Sequence, residues 1–234
     1  MQSISFKREG CQVETHNTQH ESLRTKRIGR AVEISAEMFL KRGIEPVKMT
    51  DIADACGVGV ATLYRYFGTK TAITIAAMTY LWTDLKEKFR GVFESHAFLS
   101  QTGSKRIYDL MKMYLQLFDK HPDFMRLLGE FDLMLIREEV PKAALYDYER
   151  SVINFYPVVV DSYEAGVKDG TVRSDIDFKL FYLTFAHSMM ELCKKILRGD
   201  LLPSDDFAEG KTELNMLIDM AMSYLKTPET PADS

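Results

Sequence analysis

The sequence predicts an all-α protein, and three observations carry that prediction. Apolar residues recur at three- and four-residue spacings along most of the chain, and glycines and prolines interrupt them at helix-length intervals. No segment sustains the alternation of a half-buried strand, and the short run Val158-Val159-Val160 lies inside a helical period. The punctuation marks out about nine helices.

Residues 1–21 are polar and show no apolar period, so they read as a flexible tail. From Arg24, the residues Ile28, Ala31, Val32, Ser35 and Phe39 keep helical spacing up to Gly43. Met49 to Lys70 then reads as two short helices around a glycine turn. Thr50 is the expected cap of the first, and Ile52, Ala53 and Val58 are its inward residues. Gly57 suits the left-handed conformation that ends it. The second short helix buries Leu63 and Phe67, four apart on one face. Thr69 is the expected N-cap of a long helix running from Lys70 into the low 90s.

The second half continues in amphipathic segments. Ile107, Leu110, Met111, Tyr114 and Phe118 share a face that ends at His121-Pro122-Asp123. Phe124, Leu127, Leu128, Phe131 and Leu135 share the next, which ends near Pro141. A longer helix is expected through Val152, Phe155, Tyr156, Val159, Tyr163 and Val167, kinked at Pro157 and closed by Gly170. Phe178, Phe181, Tyr182, Phe185, Met189, Leu192 and Ile196 line another, before Gly199 and Pro203. Leu214, Leu217, Ile218, Ala221 and Leu225 line the last.

A hydrophobic fraction of 46% supplies ample core, which excludes wholesale disorder. No apolar run reaches the roughly eighteen residues of a membrane span. The N-terminal residues lack an apolar signal core, so the expected compartment is the cytoplasm. Cys11, Cys56 and Cys193 are too few and too scattered for a disulfide framework or a zinc pattern. Net charge is −4, yet residues 22–80 hold nine Lys/Arg against five Asp/Glu. A basic N-terminal module thus sits on an acidic body, and attraction to phosphates follows the local patch.

The second short helix presents Val60, Ala61, Thr62, Tyr64, Arg65 and Tyr66 on the faces that Leu63 and Phe67 leave open. Two short helices meeting at a tight turn, with cationic, polar and aromatic groups outermost, suit insertion into a DNA groove. Taken singly, a tyrosine here is equally at home half-buried in a core, and an arginine is ordinary solvated surface. The combination carries the reading.

This region resembles the TetR family of bacterial transcriptional regulators. The matching residues run from Ile28, Ala31, Phe39 and Gly43 through Thr50-Asp51-Ile52-Ala53 and Ala55-Cys56-Gly57-Val58. They continue with Thr62-Leu63-Tyr64, Tyr66-Phe67 and Lys70. Farther on, Glu164, Gly166, Gly170, Arg173 and Asp175 look like the junction into that family's dimerising helices. The resemblance implies a homodimeric repressor of a palindromic operator, released by a small apolar or amphipathic effector, with no cofactor, no catalysis and no membrane. It implies a helix-turn-helix DNA-binding domain at 22–69, a regulatory and dimerising domain at 70–228 and a C-terminal tail at 229–234. Thr50, Lys70 and the Tyr64 and Tyr66 hydroxyls then match phosphate contacts, Val60, Ala61, Thr62 and Arg65 match base-facing positions, and Lys48 is a further candidate DNA-binding residue. Gly59 replaces the family's common serine cap, at a cost of only about a few tenths of a kcal/mol. Val60 and Ala61 offer methyls but no hydrogen bonds, so sequence readout rests on Arg65, with Thr62.

Within the body, Trp82, Tyr108, Met111, Tyr114, Phe131, Met134, Phe155 and Tyr156 are candidates to line an effector pocket, although each also suits plain core. Phe181, Phe185, Met189 and Leu192, with Leu214, Leu217, Ile218 and Ala221, are candidates for a dimer interface; the same stripes also suit the monomer's own core. Two other readings remain. A DNA-binding regulator controlled by a protein partner fits the same head. A helical-bundle enzyme fits poorly, since Glu-x-x-His pairs are absent and only His187 and Glu191, four apart, resemble a ligand pair.

Overall fold

The computed structural model describes residues 10–152, 156–199 and 209–227. Among them are eleven α-helices: α1 (Gly10–Arg42), α2 (Met49–Cys56), α3 (Val60–Phe67), α4 (Lys70–Phe93), α5 (His96–Leu99), α6 (Gly103–Lys120), α7 (Pro122–Arg137), α8 (Tyr146–Ser151), α9 (Tyr156–Lys168), α10 (Phe178–Arg198) and α11 (Gly210–Leu225). The only extended pairing among the described residues is an isolated bridge between Val172 and Lys226. The two helices beyond the expected nine include α5 and α8, each under two turns long and too short to display an apolar period.

Two boundaries differ from the sequence-based expectation. Helix α1 starts at Gly10, well before Arg24. Apolar periodicity reports burial, and the described residues 21–27 are all exposed, so a helix there leaves no periodic signature. The rest of the expected N-terminal tail and the C-terminal tail lie outside the described residues. Pro157 does not kink a long helix. It occupies the first turn of α9, where a missing N–H costs no helical bond, and α8 is a separate helix.

The chain divides into two compact units, Met1–Leu81 and Trp82–Ser234. The division falls after Leu81, inside α4, and not after Thr69. The first turns of α4 bury Ile73, Thr74, Ala77 and Met78, and Lys70 donates from Nζ to the Glu45 carbonyl at 3.1 Å. The start of α4 is thereby tied to the loop between α1 and α2.

In the first unit α2 packs on α1 and α3 packs on α2. Ala31, Ala36, Phe39, Ile44, Val47, Met49, Ile52, Ala53 and Leu63 form the core, with Ser35 donating its hydroxyl to the Ala31 carbonyl at 2.6 Å. Val58 and Phe67 are only half-buried, so the α3 anchor is chiefly Leu63.

In the second unit α6 is central, packing on α7, α9, α10 and α11. Its closest approach is to α9, where Gly103 lies directly against the Gly166 backbone. The Asp169 carboxylate accepts from the Gly103 N–H at 2.8 Å and from the Thr171 N–H at 3.0 Å. These hydrogen bonds hold the Asp169 carboxyl below the usual carboxylate range, the Thr171 hydroxyl contributing most. Beyond Gly170, whose φ of 77° requires glycine, the chain passes the end of α11 through an Arg173 N–H to Leu225 carbonyl bond of 3.0 Å. Asp177 then caps α10, accepting from the Leu180 N–H at 3.0 Å.

Candidate DNA interface and effector cavity

The turn between α2 and α3 is built locally. Gly57 adopts φ 66° and ψ 34°, a left-handed conformation open to glycine, and the Val58 N–H returns to the Ala53 carbonyl at 3.0 Å. Gly59 stands as the N-cap of α3 with no side-chain cap, as its lack of a side chain requires.

The expected cap of α2 is corrected. Thr50 is already inside the helix and exposed, and the N-cap position is Lys48. Asp51 does the capping by accepting from the Lys48 backbone N–H at 3.0 Å. It also pairs with Arg42 of α1 at 3.2 Å, which fastens the start of α2 to the end of α1. The Lys48 N–H, followed by the Arg42 guanidinium, holds the Asp51 carboxyl below its ordinary value. A depressed folded-state value contributes stability above the ordinary carboxylate range and loses it as pH falls through the depressed value. Asp51→Asn is therefore expected to lower Tm at neutral pH, with the deficit closing below about pH 3. Thermal melts of both proteins across that range test this; a deficit that persists in acid counts against the cap.

On α3, Leu63 is fully buried, while Val60, Ala61, Tyr64 and Arg65 are exposed; Tyr64 is 49% accessible despite its aromatic ring. Positions one and four residues apart make this one continuous face. Thr62 and Tyr66 flank it, half-buried, and the Arg65 guanidinium lies 5.9 Å from the Tyr66 ring centroid. Lys48 and Thr50 are exposed at the α2 start. Thr69 caps α4 as expected, accepting from the Ala72 N–H at 3.0 Å. Lys70 differs from the others: its ammonium already bonds the Glu45 carbonyl, which compensates its position at a helix N-terminus.

The second unit holds a cavity of about 670 Å³ lined by α4, α6, α10 and the segment Lys142–Val152. Aromatic residues dominate its wall: Trp82, Tyr114, Tyr146, Tyr148 and Tyr182, with Leu117, Leu145, Leu183 and Met190. Lys142, Glu149 and His187 add polar groups. The Trp82 indole N–H donates to the Tyr148 hydroxyl at 3.0 Å, and the Trp82 ring meets Phe124 edge-on at 4.9 Å. The Tyr114 and Tyr182 hydroxyls are hydrogen-bonded, and burial drives the Tyr114 phenol strongly upward.

Of the eight pocket candidates, Trp82 and Tyr114 line this cavity. Met111, Phe131 and Met134 are core, and Tyr108 is half-buried on α6 beneath the ammonium groups of Lys105 and Lys112. Tyr156 stands behind the wall, its ring 5.2 Å from that of Tyr182; Phe155 lies outside the described residues. The sequence reasoning missed Tyr148, which sits in the unforeseen α8, and assigned Tyr182 only to a generic apolar stripe. The suggested His187/Glu191 pair does not converge: His187 lines the cavity, whereas Glu191 pairs with Lys194 at 2.5 Å.

The interface stripes also divide. Phe185, Met189, Leu214, Ile218 and Ala221 are buried within the single chain and serve its core. Phe181, Leu192 and Leu217 are half-buried. The large apolar groups left exposed on α10 and α11 are instead Leu180, Leu183, Met216, Met220 and Tyr224.

A basic three-helix head with an exposed α3 face, joined through α4 to a separate helical body containing a cavity, defines a helix-turn-helix transcriptional regulator. Residues 31–77 match the family described as "Bacterial regulatory proteins, tetR family". The HTH-type transcriptional repressor KstR2 of Rhodococcus jostii (strain RHA1) is 27% identical over 157 residues, covering 64% of this chain and 70% of that protein. By these matches the chain is similar to tetR-family regulators. Two solved structures show the same fold. A regulator from Saccharomonospora viridis in complex with choline matches with a TM-score of 0.61 at 18% identity, over 89% of this chain and 100% of that one. FadR from Bacillus subtilis in complex with stearoyl-CoA matches with a TM-score of 0.59 at 14% identity, over 83% and 97%. No described helix is long and apolar enough to cross a membrane.

Proposed function

We propose that the chain represses transcription by binding a palindromic operator as a homodimer, and that a small, largely apolar effector in the body cavity releases it. The observation that carries the DNA reading is the α3 face, where Leu63 anchors the helix and Tyr64 and Arg65 stand exposed beside Val60 and Ala61. Arg65 is the base reader, because its neighbours on that face provide methyls and a phenol. Lys48, Thr50 and the Tyr64 and Tyr66 hydroxyls serve the phosphates, and Thr62 contributes at the groove edge. Lys70 has a structural duty at the Glu45 carbonyl beside any phosphate contact.

A single short helix covers few base pairs, so specific binding calls for two heads about one helical turn (~34 Å) apart. The partner is a second copy of this chain, docked on the outer faces of α10 and α11. A shallow groove there includes Leu180, Phe181, Thr184, Leu217 and Tyr224. Exposed Leu and Met on two adjacent helices support that reading, because a monomer's outer face is normally polar.

Choline and stearoyl-CoA, held by the two structural neighbours, differ widely in size and charge, so the likeness supports an effector site without naming its occupant. The cavity volume and aromatic wall support a drug-sized, mostly apolar molecule. Trp82 lies on α4, the same continuous helix that begins at Lys70, which offers a covalent route from effector to head.

Selection of bound DNA from a random pool tests the proposal. Wild type is expected to recover a two-fold symmetric site. Arg65→Ala is expected to lose about 1–3 kcal/mol of discrimination at one base pair of each half-site, while non-specific affinity at low salt changes little. An unchanged selected sequence from Arg65→Ala would remove Arg65 from the readout, and failure of wild type to enrich any sequence would end the operator reading.

A further inference from the structure

We infer that the aromatic cavity takes an apolar molecule bearing an sp² oxygen acceptor, a carbonyl or a carboxylate, and that the Tyr148 hydroxyl is the donor that recognises it. This rests on the reading of the cavity as the effector site and names the chemistry of its ligand.

The argument turns on the direction of one hydrogen bond. An indole nitrogen has a proton to give and no lone pair to receive one. In the 3.0 Å contact between Trp82 Nε1 and the Tyr148 hydroxyl, the indole must therefore donate and the phenol oxygen accept. The phenol's own proton is left over. Among the described residues it meets no acceptor, while the ring lines the cavity. Burial raises the Tyr148 phenol to about 12, so at neutral pH the proton stays on the oxygen.

The surroundings sharpen the assignment. The Tyr114 and Tyr182 hydroxyls are engaged with one another, so they are less available to a ligand. Leu117, Leu183 and Met190 provide apolar wall on other helices. A phenol donor with no acceptor among the described residues, framed by apolar surface, selects for a ligand oxygen at that point; a hydrocarbon there leaves the donor unsatisfied. Trp82 fixes the phenol's orientation, which makes it a positioning residue.

Calorimetric titration of the full chain tests this with three probes on one frame: cyclododecanone, its hydrocarbon analogue methylenecyclododecane, and cyclododecanecarboxylate. Wild type is expected to bind the ketone about tenfold more tightly than the methylene analogue. Tyr148→Phe is expected to lose that preference while binding the methylene analogue within about twofold of wild type, which also shows that the cavity is intact. The change orphans the Trp82 N–H, so the Trp82→Phe/Tyr148→Phe double variant, with no orphan, must lack the preference too. Trp82→Phe alone, which keeps the phenol but removes its positioning partner, should weaken the preference without abolishing it.

The carboxylate arm distinguishes the source of the acceptor. A carboxylate that binds more tightly than the ketone in wild type, and loses that margin in Lys142→Ala, identifies a charged ligand; otherwise the acceptor is a neutral carbonyl. The inference is overturned if wild type binds ketone and methylene analogue equally, if Tyr148→Phe keeps the preference, or if none of the three probes binds. Operator selection by wild type is scored separately. Its failure sinks the proposed function, whereas failed titrations beside intact operator binding sink only the ligand chemistry.

Discussion

Gly103→Ala is expected to destabilise the second unit by about 3 kcal/mol or more, lowering Tm by roughly 6–12 °C. A Cβ at this position would overlap the Gly166 backbone nitrogen and Cα and come within 2.5 Å of the Ser162 carbonyl oxygen. All three are backbone atoms of α9, so no rotamer change relieves the clash. The two helices must separate, and the Gly103 N–H bond to Asp169 stretches with them. Gly129→Ala on α7 is the matched control, because its new methyl would meet only the Lys194 side chain, at 3.6 Å. Helix propensity favours that change by up to about 1 kcal/mol. Thermal melts in parallel should separate the two variants clearly, and equal transitions would mean that α6 and α9 do not approach this closely.

The second large effect concerns assembly. Leu180→Glu with Met220→Glu is expected to convert the proposed dimer to monomer and to weaken operator binding by about 10²–10⁴-fold, the factor that linking two heads supplies. Leu180 is 63% and Met220 58% accessible in the single chain, so neither change should disturb folding by more than about 0.5 kcal/mol. Facing glutamates from two copies would repel across the interface. Sedimentation and fluorescence anisotropy on the selected operator are the measurements. A variant that remains dimeric would move the interface away from these outer faces.

These predictions depend to different degrees on what the sequence made legible. The α2–turn–α3 unit could be read residue by residue because its determinants are local. A left-handed Gly57, a side-chain-free cap at Gly59 and a buried Leu63 are each set by chemistry within a few positions. Even there a tertiary contact intervened. Asp51 reaches back to the Lys48 N–H and across to Arg42, displacing Thr50 as the expected cap. Pro157 was ambiguous for a related reason: the same ring kinks a helix from within or opens one from its first turn, and only the chain before it decides.

The body was less legible. Periodicity identified the apolar faces of α10 and α11, but two surfaces of such a helix can both be apolar, one for the core and one for a partner. The stripe with the stronger period, Phe185 and Met189 with Leu214, Ile218 and Ala221, turned inward. The weaker outer set, Leu180, Met216 and Met220, was left exposed. For the cavity, Trp82 and Tyr114 lie in its wall, while Phe131, Met134 and Met111 went to the core.

The chain order of residues therefore settles the helical class, the α2–turn–α3 unit and the charge of the head, because backbone conformation, capping and periodicity act over a few residues. It does not settle which tyrosines share a cavity. Tyr114, Tyr148 and Tyr182 come from α6, α8 and α10, far apart in the chain, and their meeting depends on how closely those helices pack. The free phenolic proton of Tyr148 is the sharpest instance. Trp82, 66 positions earlier, donates to that oxygen and leaves the hydroxyl to act as a donor, and no local pattern encodes the direction of a hydrogen bond between distant helices.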